Sequence, residues 1–273
     1  MKALGDHPRI GTAGWAIPVA LRPQFGKGSS NLASYATALN CVEINSSFHG
    51  RHRAETWNRW AASVPSEFRF SAKVPKVITH TNRLVECEAM LEEFVADTHG
   101  MGRKLEVLLV QLPPSLQFDE GIASNFARAI LRLTSRSIVF EPRHSSWFGD
   151  EREQWFREHG IVRAGADPSL IPDAAHPGGA STLKYWRLHG SPRMYRSSYD
   201  MERLAVYASA LAAAGSTAWC IFDNTAASAA TANALELAAL SRNGSAHPTV
   251  ADKNGLSPEL PPASRSILRS APR

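Results

Sequence analysis

The sequence predicts an α/β fold, a single (β/α)8 barrel of TIM type, from two observations. Eight short runs that are apolar or alternate in polarity are separated by amphipathic runs over about 240 residues, which is the element count of such a barrel. A doubly wound open sheet shares this element order, but its central strands are apolar on both faces. Several strands here instead carry polar residues at every second position near their ends. We therefore predict that the polar strand faces look toward a barrel axis.

The elements follow one another in a regular order. The eight predicted strands cover residues 9–14, 41–48, 67–74, 106–112, 137–143, 161–167, 183–189 and 217–223. Helical spacing of apolar residues predicts helices around 32–39, 57–61, 91–95, 122–133, 150–159, 204–211 and 226–241, with Gly160 and Gly215 ending two of them. Between the sixth and seventh strands, residues 168–182 contain three prolines and a glycine pair. We expect the helix there to be short or missing.

The predicted domain organisation is one barrel over residues 1–242 and a tail over residues 243–273. The tail is rich in Pro, Ser and Gly and lacks aromatic residues, a composition typical of disorder. Three scattered cysteines, Cys41, Cys87 and Cys220, form neither a zinc motif nor a disulfide framework. Charges near the N-terminus argue against a signal peptide, and no apolar run is long enough for a membrane span. We expect a cytoplasmic protein without a membrane partner.

Polar residues recur two positions apart near the predicted strand ends. These sets are Glu43 with Asn45, Arg69 with Ser71 and Lys73, Glu141 with Arg143, and Arg187 with His189. Arg163 and Asp167 share the same parity on either side of Gly165, four positions apart. Active sites of barrel enzymes lie at the C-terminal strand ends. Burying so many charges is costly unless they are paired, and function is the usual reason that such a cluster exists. We therefore predict that Glu43, Glu141, His189 and Asp223 are catalytic. The predicted substrate-binding residues are Trp15, Asn45, Lys73, Gln111, Arg143, His144, Trp147, Asp167, Arg187 and Asn224.

Eight short motifs in order carry a resemblance to a known family. They are GTAGW at 11–15, VEINSSFH at 42–49, ETWNRWA at 55–61, FRFSAKVPKVITH at 68–80, LLVQLPPS at 108–115, FEPRHSSWF at 140–148, YWRLHG at 185–190 and FDNTA at 222–226. Together they resemble the YecE-like family (DUF72), a bacterial barrel family of unknown function. The resemblance implies the barrel fold and transfers no activity. Two departures are His49, where the family more often has Tyr, and a shorter segment between the sixth and seventh strands.

The residue types favour acid/base or hydrolytic chemistry on an anionic ligand. The formal net charge of +5 permits a small phosphate-bearing ligand or a nucleic acid as partner. Arg143 and Arg187 suit bidentate contact with phosphate or carboxylate and would form an anion clamp. The alternative is that both arginines are internal partners of the neighbouring carboxylates.

Two further functions stay open from the sequence. Glu43 and Glu141 could act as the carboxylate pair of a carbohydrate-active enzyme, with Trp15 or Trp147 under the sugar ring. The chain could also be a non-catalytic binding module. No H-x-H or H-E-x-x-H spacing occurs, and the three neighbouring cations would repel a metal ion, so we assign no metal ligand. A cofactor is left unassigned.

Overall fold

The computed structural model describes residues 7–169 and 171–244, which form a mixed α/β fold. The strands are β1 (Arg9–Thr12), β2 (Cys41–Ile44), β3 (Arg69–Lys73), β4 (Leu105–Gln111), β5 (Ser137–Glu141), β6 (Val162–Arg163), β7 (Gly165–Asp167), β8 (Gly178–Gly179), β9 (Lys184–Leu188) and β10 (Ala218–Phe222). The α-helices are α1 (Asn31–Tyr35), α2 (Ser46–His49), α3 (Ala54–Ala62), α4 (Glu88–Asp97), α5 (Glu120–Leu133), α6 (Asp150–Glu158), α7 (Met201–Ala214) and α8 (Ala229–Gly244).

The strands form two sheets whose main ladders are parallel. One sheet has the order β1-β10-β9-β7, and the other has the order β2-β3-β4-β5-β6-β8, in which only the short β8 is antiparallel. Two connections join the sheets. Ala13, just after β1, bridges to Glu43 of β2, and β6 and β7, which belong to different sheets, are separated in the chain by Ala164 alone. The backbone N–H of Ala164 donates to the carbonyl of Phe140 at 2.8 Å.

Side chains on the two faces of the strands pack into separate apolar clusters. Val42, Phe70 and Leu188 belong to the larger cluster, which includes the buried residues of the helices. Cys41 and Val139 belong to the smaller cluster, on the opposite strand parity. The remaining members of the smaller cluster are Val107, Leu109, Val162, Ala164, Ala180, Leu183, Tyr185, Trp219 and Ile221. Because side chains alternate along a strand, the polar residues Glu43, Lys73, Glu141 and Arg187 share the face away from the helices, as predicted.

The sixth predicted strand departs from this pattern. Val162 and Ala164 lie in the smaller cluster, so Arg163 and Asp167 point to the helix side. Arg163 is paired there with Glu153 of α6. Asp167 accepts a 2.5 Å hydrogen bond from Arg203 of α7. The prediction that Arg163 and Asp167 face the barrel axis is therefore wrong, because helix-borne partners neutralise both charges on the outside.

The predicted helices are present in order, and their ends have local causes. Asp119 and Asp200 cap α5 and α7 by accepting backbone N–H bonds. Gly160 and Gly215 follow α6 and α7 with positive φ values of 65° and 68°, the conformation that glycine tolerates best. Within 168–182, the described residues (all but 170) hold a 3₁₀ turn (Pro172–Ala175) and β8 instead of an α-helix, as expected from their prolines.

The last helix runs beyond its predicted end. α8 extends to Gly244, two residues into the segment that composition assigns to the tail. Residues 245–273, and with them most of the predicted tail, lie outside the described residues. Among the residues that are described, no helix combines the length and apolarity needed to cross a membrane.

The approach of β1 to β2 yields a stability prediction. A Cβ built on Gly11 would lie 2.1 Å from the carbonyl oxygen of Cys41, and backbone cannot move aside as a flexible side chain does. We expect Gly11→Ala to lower the free energy of unfolding by about 3 kcal/mol, the upper range for overpacking. Gly50→Ala is the matched control because nothing lies within 4 Å of its Cβ position. Equal urea midpoints for both variants would contradict the close approach.

Candidate functional site

A buried arginine lies at the centre of the polar cluster. The Arg187 side chain has 0% exposure and contacts carboxylates from three other strand ends. Its Nε and Nη2 donate to the two carboxylate oxygens of Glu43 at 3.0 and 2.6 Å. Its Nη1 donates to Glu141 Oε2 at 2.6 Å, and Nη2 also reaches Asp223 Oδ2 at 3.1 Å. Arg187 is thus an internal ion-pair partner, which corrects the prediction that it clamps an external anion.

His189 lies between Glu141 and Asp223, two of the three carboxylates that contact Arg187. Its Nδ1 is 3.0 Å from Asp223 Oδ2, and its Nε2 is 2.8 Å from Glu141 Oε1. Arg143 Nη2 approaches both groups, at 2.6 Å from Glu141 Oε1 and 2.9 Å from His189 Nε2. Both ring nitrogens of His189 therefore have hydrogen-bond partners within the cluster.

Two buried hydroxyl groups, of Tyr185 and Ser71, adjoin the cluster and were not among the predicted site residues. Tyr185 Oη donates to Glu43 Oε2 at 3.0 Å and lies 2.8 Å from Ser71 Oγ. Burial, reinforced by the Glu43 charge, raises the pKa of Tyr185 well above its ordinary value, so the phenol stays a donor. Tyr185 precedes Arg187 by two positions, and this shared strand parity is the signal that could have found it.

Opposite charges set the protonation states of the buried acids. Burial opposes ionisation of Glu141, but the charges of Arg143, Arg187 and His189 outweigh it and hold its pKa well below the usual range. Burial likewise opposes ionisation of Asp223, while Arg187 and His189 lower its pKa. Burial also disfavours the charged form of Arg187, but the surrounding carboxylates raise its pKa. Glu141, Asp223 and Arg187 are therefore charged at neutral pH.

Lys73 and Arg143 lie where the cluster meets the solvent. The Arg143 side chain is 15% exposed, and Lys73 is 8% exposed. Lys73 Nζ stands 3.9 Å from the centroid of the Phe48 ring. Burial and then the Arg187 charge lower the pKa of Lys73 to about 8, against the pull of Glu43, Glu141 and Asp223. Phe48 was not among the predicted site residues, since its sequence neighbourhood gives no sign of a cation contact.

Several predicted binding residues have structural roles instead. Trp147 is buried, donates through Nε1 to the carbonyl of Leu116 and packs on Phe118. His144 Nδ1 accepts from Ser146 N and caps the short turn that follows. Asn224 donates to the carbonyl of Ser197 and to Asn233. Asp167, paired with Arg203, does not join the cluster. In each of the four residues at least one polar atom is occupied by a partner from an adjacent loop or helix, although Asn224 Oδ1 and Asp167 Oδ2 are buried without a partner in the described part of the chain.

Three other predicted residues flank the cluster. Trp15 is partly buried and packs edge-on against Trp60 at 5.2 Å. Gln111 at the end of β4 is partly buried. Asn45 Oδ1 is buried and has no hydrogen-bond partner among residues 7–169 and 171–244. Across the same described ranges, no three His, Cys, Asp or Glu side chains are grouped so that they could hold a metal ion.

The fold and the site define a class of protein: a parallel α/β chain with an ion-pair network on the strand face away from the helices. The family model described as protein of unknown function DUF72 matches residues 9–256, and the chain belongs to this family. UPF0759 protein YecE of Escherichia coli K12 and that of strain O157:H7 are each 25% identical to it over 171 residues. Each match covers 59% of this chain and 58% of the relative, little more than half the length of the relatives.

Solved structures share the fold. A DUF72 family protein from Enterococcus faecalis V583 superposes with a TM-score of 0.71, and one from Thermotoga maritima MSB8 with 0.69. Both are 20% identical to this chain and cover 86% of it, with 95% and 99% of their own lengths matched. At this identity the likeness concerns the fold alone. The family resemblance seen in the sequence motifs is confirmed.

Arginine truncation distinguishes the central partner from the peripheral one. Arg187→Ala leaves Glu43, Glu141 and Asp223 buried without their shared cation, so we expect it to lower the free energy of unfolding by about 3–5 kcal/mol. Arg143→Ala costs less, because Glu141 keeps Arg187 and His189 as partners. Urea unfolding of both variants measures the difference. A wild-type midpoint for Arg187→Ala would show that the network contributes little.

Acidification tests the same network. Glu141 and Asp223 have folded-state pKa values below their ordinary values. Their contribution to stability is complete above the unfolded-state pKa of about 4 and is lost as pH falls through the folded-state values. We expect the free energy of unfolding to decline below about pH 4, and less steeply in Glu141→Gln, which has one such carboxyl fewer. Parallel declines in urea melts of the two proteins would contradict a role for Glu141.

Proposed function

We propose that this chain is a (β/α)8 barrel whose C-terminal strand ends bind a small phosphate-bearing anion and act on it by acid/base chemistry, with phosphoester hydrolysis as the reaction class. Barrel closure is supported at both edges where the two sheets meet. At one edge, Gly14 N donates to the carbonyl of Glu43 at 2.8 Å beside the Ala13–Glu43 bridge. At the other, β6 and β7 continue one strand, so that each sheet supplies an arc of the same barrel.

The proposal of an anion site rests on two side-chain nitrogens beside the cluster that have no hydrogen-bond partner in the described residues. Arg143 Nε is buried with no hydrogen-bond partner in the described part of the chain. Buried donors such as this one are rarely left unsatisfied in folded proteins. Lys73 Nζ makes no ion pair or hydrogen bond in the described residues and stands over the Phe48 ring. A phosphate group that reached both cations would supply acceptors for them.

Charge distribution supports an anion rather than a cation as the ligand. Glu43 and Glu141 are inaccessible and are paired with Arg187. Of the three carboxylates, only Asp223 has appreciable exposure, at 11% of its side chain. The groups that a ligand meets are therefore Lys73, Arg143 and Asp223, two cations and one potential base.

The arrangement around His189 supports proton transfer in the same site. His189 is fully buried, so it would act through Asp223, which its Nδ1 contacts at 3.0 Å. Asp223, which Arg187 and His189 keep ionised, would act as the base that takes a proton from an attacking water. Groups fixed in advance around developing charge are the usual source of such catalysis.

The carbohydrate alternative has less support. Arg187 stands between Glu43 and Glu141 and binds both. Both acids are closed to solvent, whereas the acid pair of a glycosidase must flank the sugar bond. Trp147 is buried in the aromatic core, which leaves only Trp15 to stack on a ring. A non-catalytic binding module keeps specific support, because every carboxylate of the cluster has a cationic partner.

Phosphate binding is the direct test. A ligand that binds only the folded state stabilises it by RT ln(1 + [L]/Kd) and so raises the melting temperature. We therefore expect phosphate to raise the melting temperature of the wild-type protein and not that of Arg143→Ala. Arg132→Ala is the matched control, because Arg132 lies on α5 with its side chain 69% exposed. Equal phosphate shifts in both variants would place the anion elsewhere.

Turnover separates an enzyme from a binding module. Release of nitrophenol from bis(4-nitrophenyl) phosphate, lost in Asp223→Asn, supports hydrolysis of a phosphodiester. A phosphate shift that depends on Arg143, with no release from this diester or from 4-nitrophenyl phosphate, favours the non-catalytic module.

A further inference from the structure

Lys73 has an environment that an ion-pairing or phosphate-binding lysine does not require. It ends β3 on the same strand face as Glu43 and Arg187, in a position that is 8% exposed. Nζ makes no ion pair and no hydrogen bond within the described residues, although three carboxylates lie in the same cluster. Those carboxylates are bonded to Arg187, Arg143 and His189 instead. The amine is therefore held against an aromatic ring, away from any acceptor.

The charges around the amine come from every neighbouring strand end. Arg187 on β9 opposes the ammonium form, and Glu43, Glu141 and Asp223 favour it. His80, in the helical turn that follows β3, carries a pKa lowered by burial and then by Lys73 and Lys76. The net result is a Lys73 pKa of about 8. A lysine that is desolvated and placed next to another cation is the type that serves as a nucleophile.

We propose that Lys73 is a nucleophilic amine that forms an imine with an aldehyde or ketone bearing a carboxylate or phosphate group. The carbonyl group is the new element of this proposal. The preference for an anionic carbonyl compound rests on the proposed anion site at Arg143, whereas the reactivity of the amine stands on its own surroundings.

The bond changes balance without an added oxidant or reductant. The lone pair of neutral Nζ attacks the carbonyl carbon, an N–C bond forms, and the C=O π pair moves to oxygen. A proton passes from nitrogen to that oxygen to give the carbinolamine. A second proton, delivered from solvent through Asp223 or His189, lets the hydroxyl leave as water and leaves the protonated imine. The iminium withdraws electrons from the adjacent carbon, so the class of reaction served is proton abstraction or C–C cleavage next to the carbonyl.

Reductive trapping tests the proposal in the full-length protein. Glyoxylate, an anionic aldehyde, and glycolaldehyde, a neutral one of the same carbon number, are each supplied with cyanoborohydride at pH 8, and the modified lysines are located by peptide mass spectrometry. At that pH about half of Lys73 is neutral, against about 0.3% of an ordinary lysine, a ratio of about 150. We expect Lys73 to be labelled at least ten times faster than the exposed Lys76, three residues along.

The variants separate failure of the imine from failure of the anion site. Lys73→Arg should abolish the fast label, and Lys76→Arg, the matched control, should leave it unchanged. Arg143→Ala should remove the preference for glyoxylate while glycolaldehyde still labels Lys73 quickly. Fast labelling without any glyoxylate preference in the wild-type protein supports the amine and contradicts the anion site. Labelling of Lys73 no faster than that of Lys76 by either aldehyde overturns the proposal, whatever the phosphate experiment shows.

Discussion

Complete burial of the Arg187 guanidinium is the constraint on which the site depends. A cation removed from water costs several kcal/mol unless acceptors surround it, and here three carboxylates do so from separate strand ends. Glu43 comes from β2, Glu141 from β5 and Asp223 from the residue after β10. These contacts need β9 and the other three strands in one relative register. The ion pairs therefore specify the arrangement of the strands as well as occupying their polar face.

The same constraint decides which groups are left for a ligand. Because Arg187 takes up Glu43 and Glu141, neither acid is available to an incoming molecule. Arg143 contributes only one guanidinium nitrogen to the network, and Lys73 contributes none. Under the proposed function, a ligand would therefore meet the two cations and Asp223, with His189 behind the carboxylate. The two glutamates are thus buried and paired with Arg187, and two of the three groups proposed to contact a ligand are cations.

The position of Lys73 follows from this division. Its natural carboxylate partners are already saturated by arginine and histidine donors, which form stronger, more directional contacts than an ammonium group. The Phe48 ring offers a weak cation contact and little compensation for lost hydration. Burial and then the Arg187 charge lower the pKa of Lys73 to about 8, so the burial of Arg187 on β9 bears directly on the proposed reactivity of Lys73 on β3.

The sequence by itself determined the parts of this protein that local periodicity controls. The alternation of strands and helices, the parity of Glu43, Lys73, Glu141 and Arg187, and the break at 168–182 all follow from residue spacing, because period and turn residues act over a few positions. Tertiary structure alone decided the pairing. Asp167 carries the same charge as Asp223, yet Arg203 holds it on the helix side, and Arg187 is an internal partner rather than a clamp. Which cation neutralises which carboxylate depends on distances between strands and helices far apart in the chain, and residue type and spacing contain no measure of those distances.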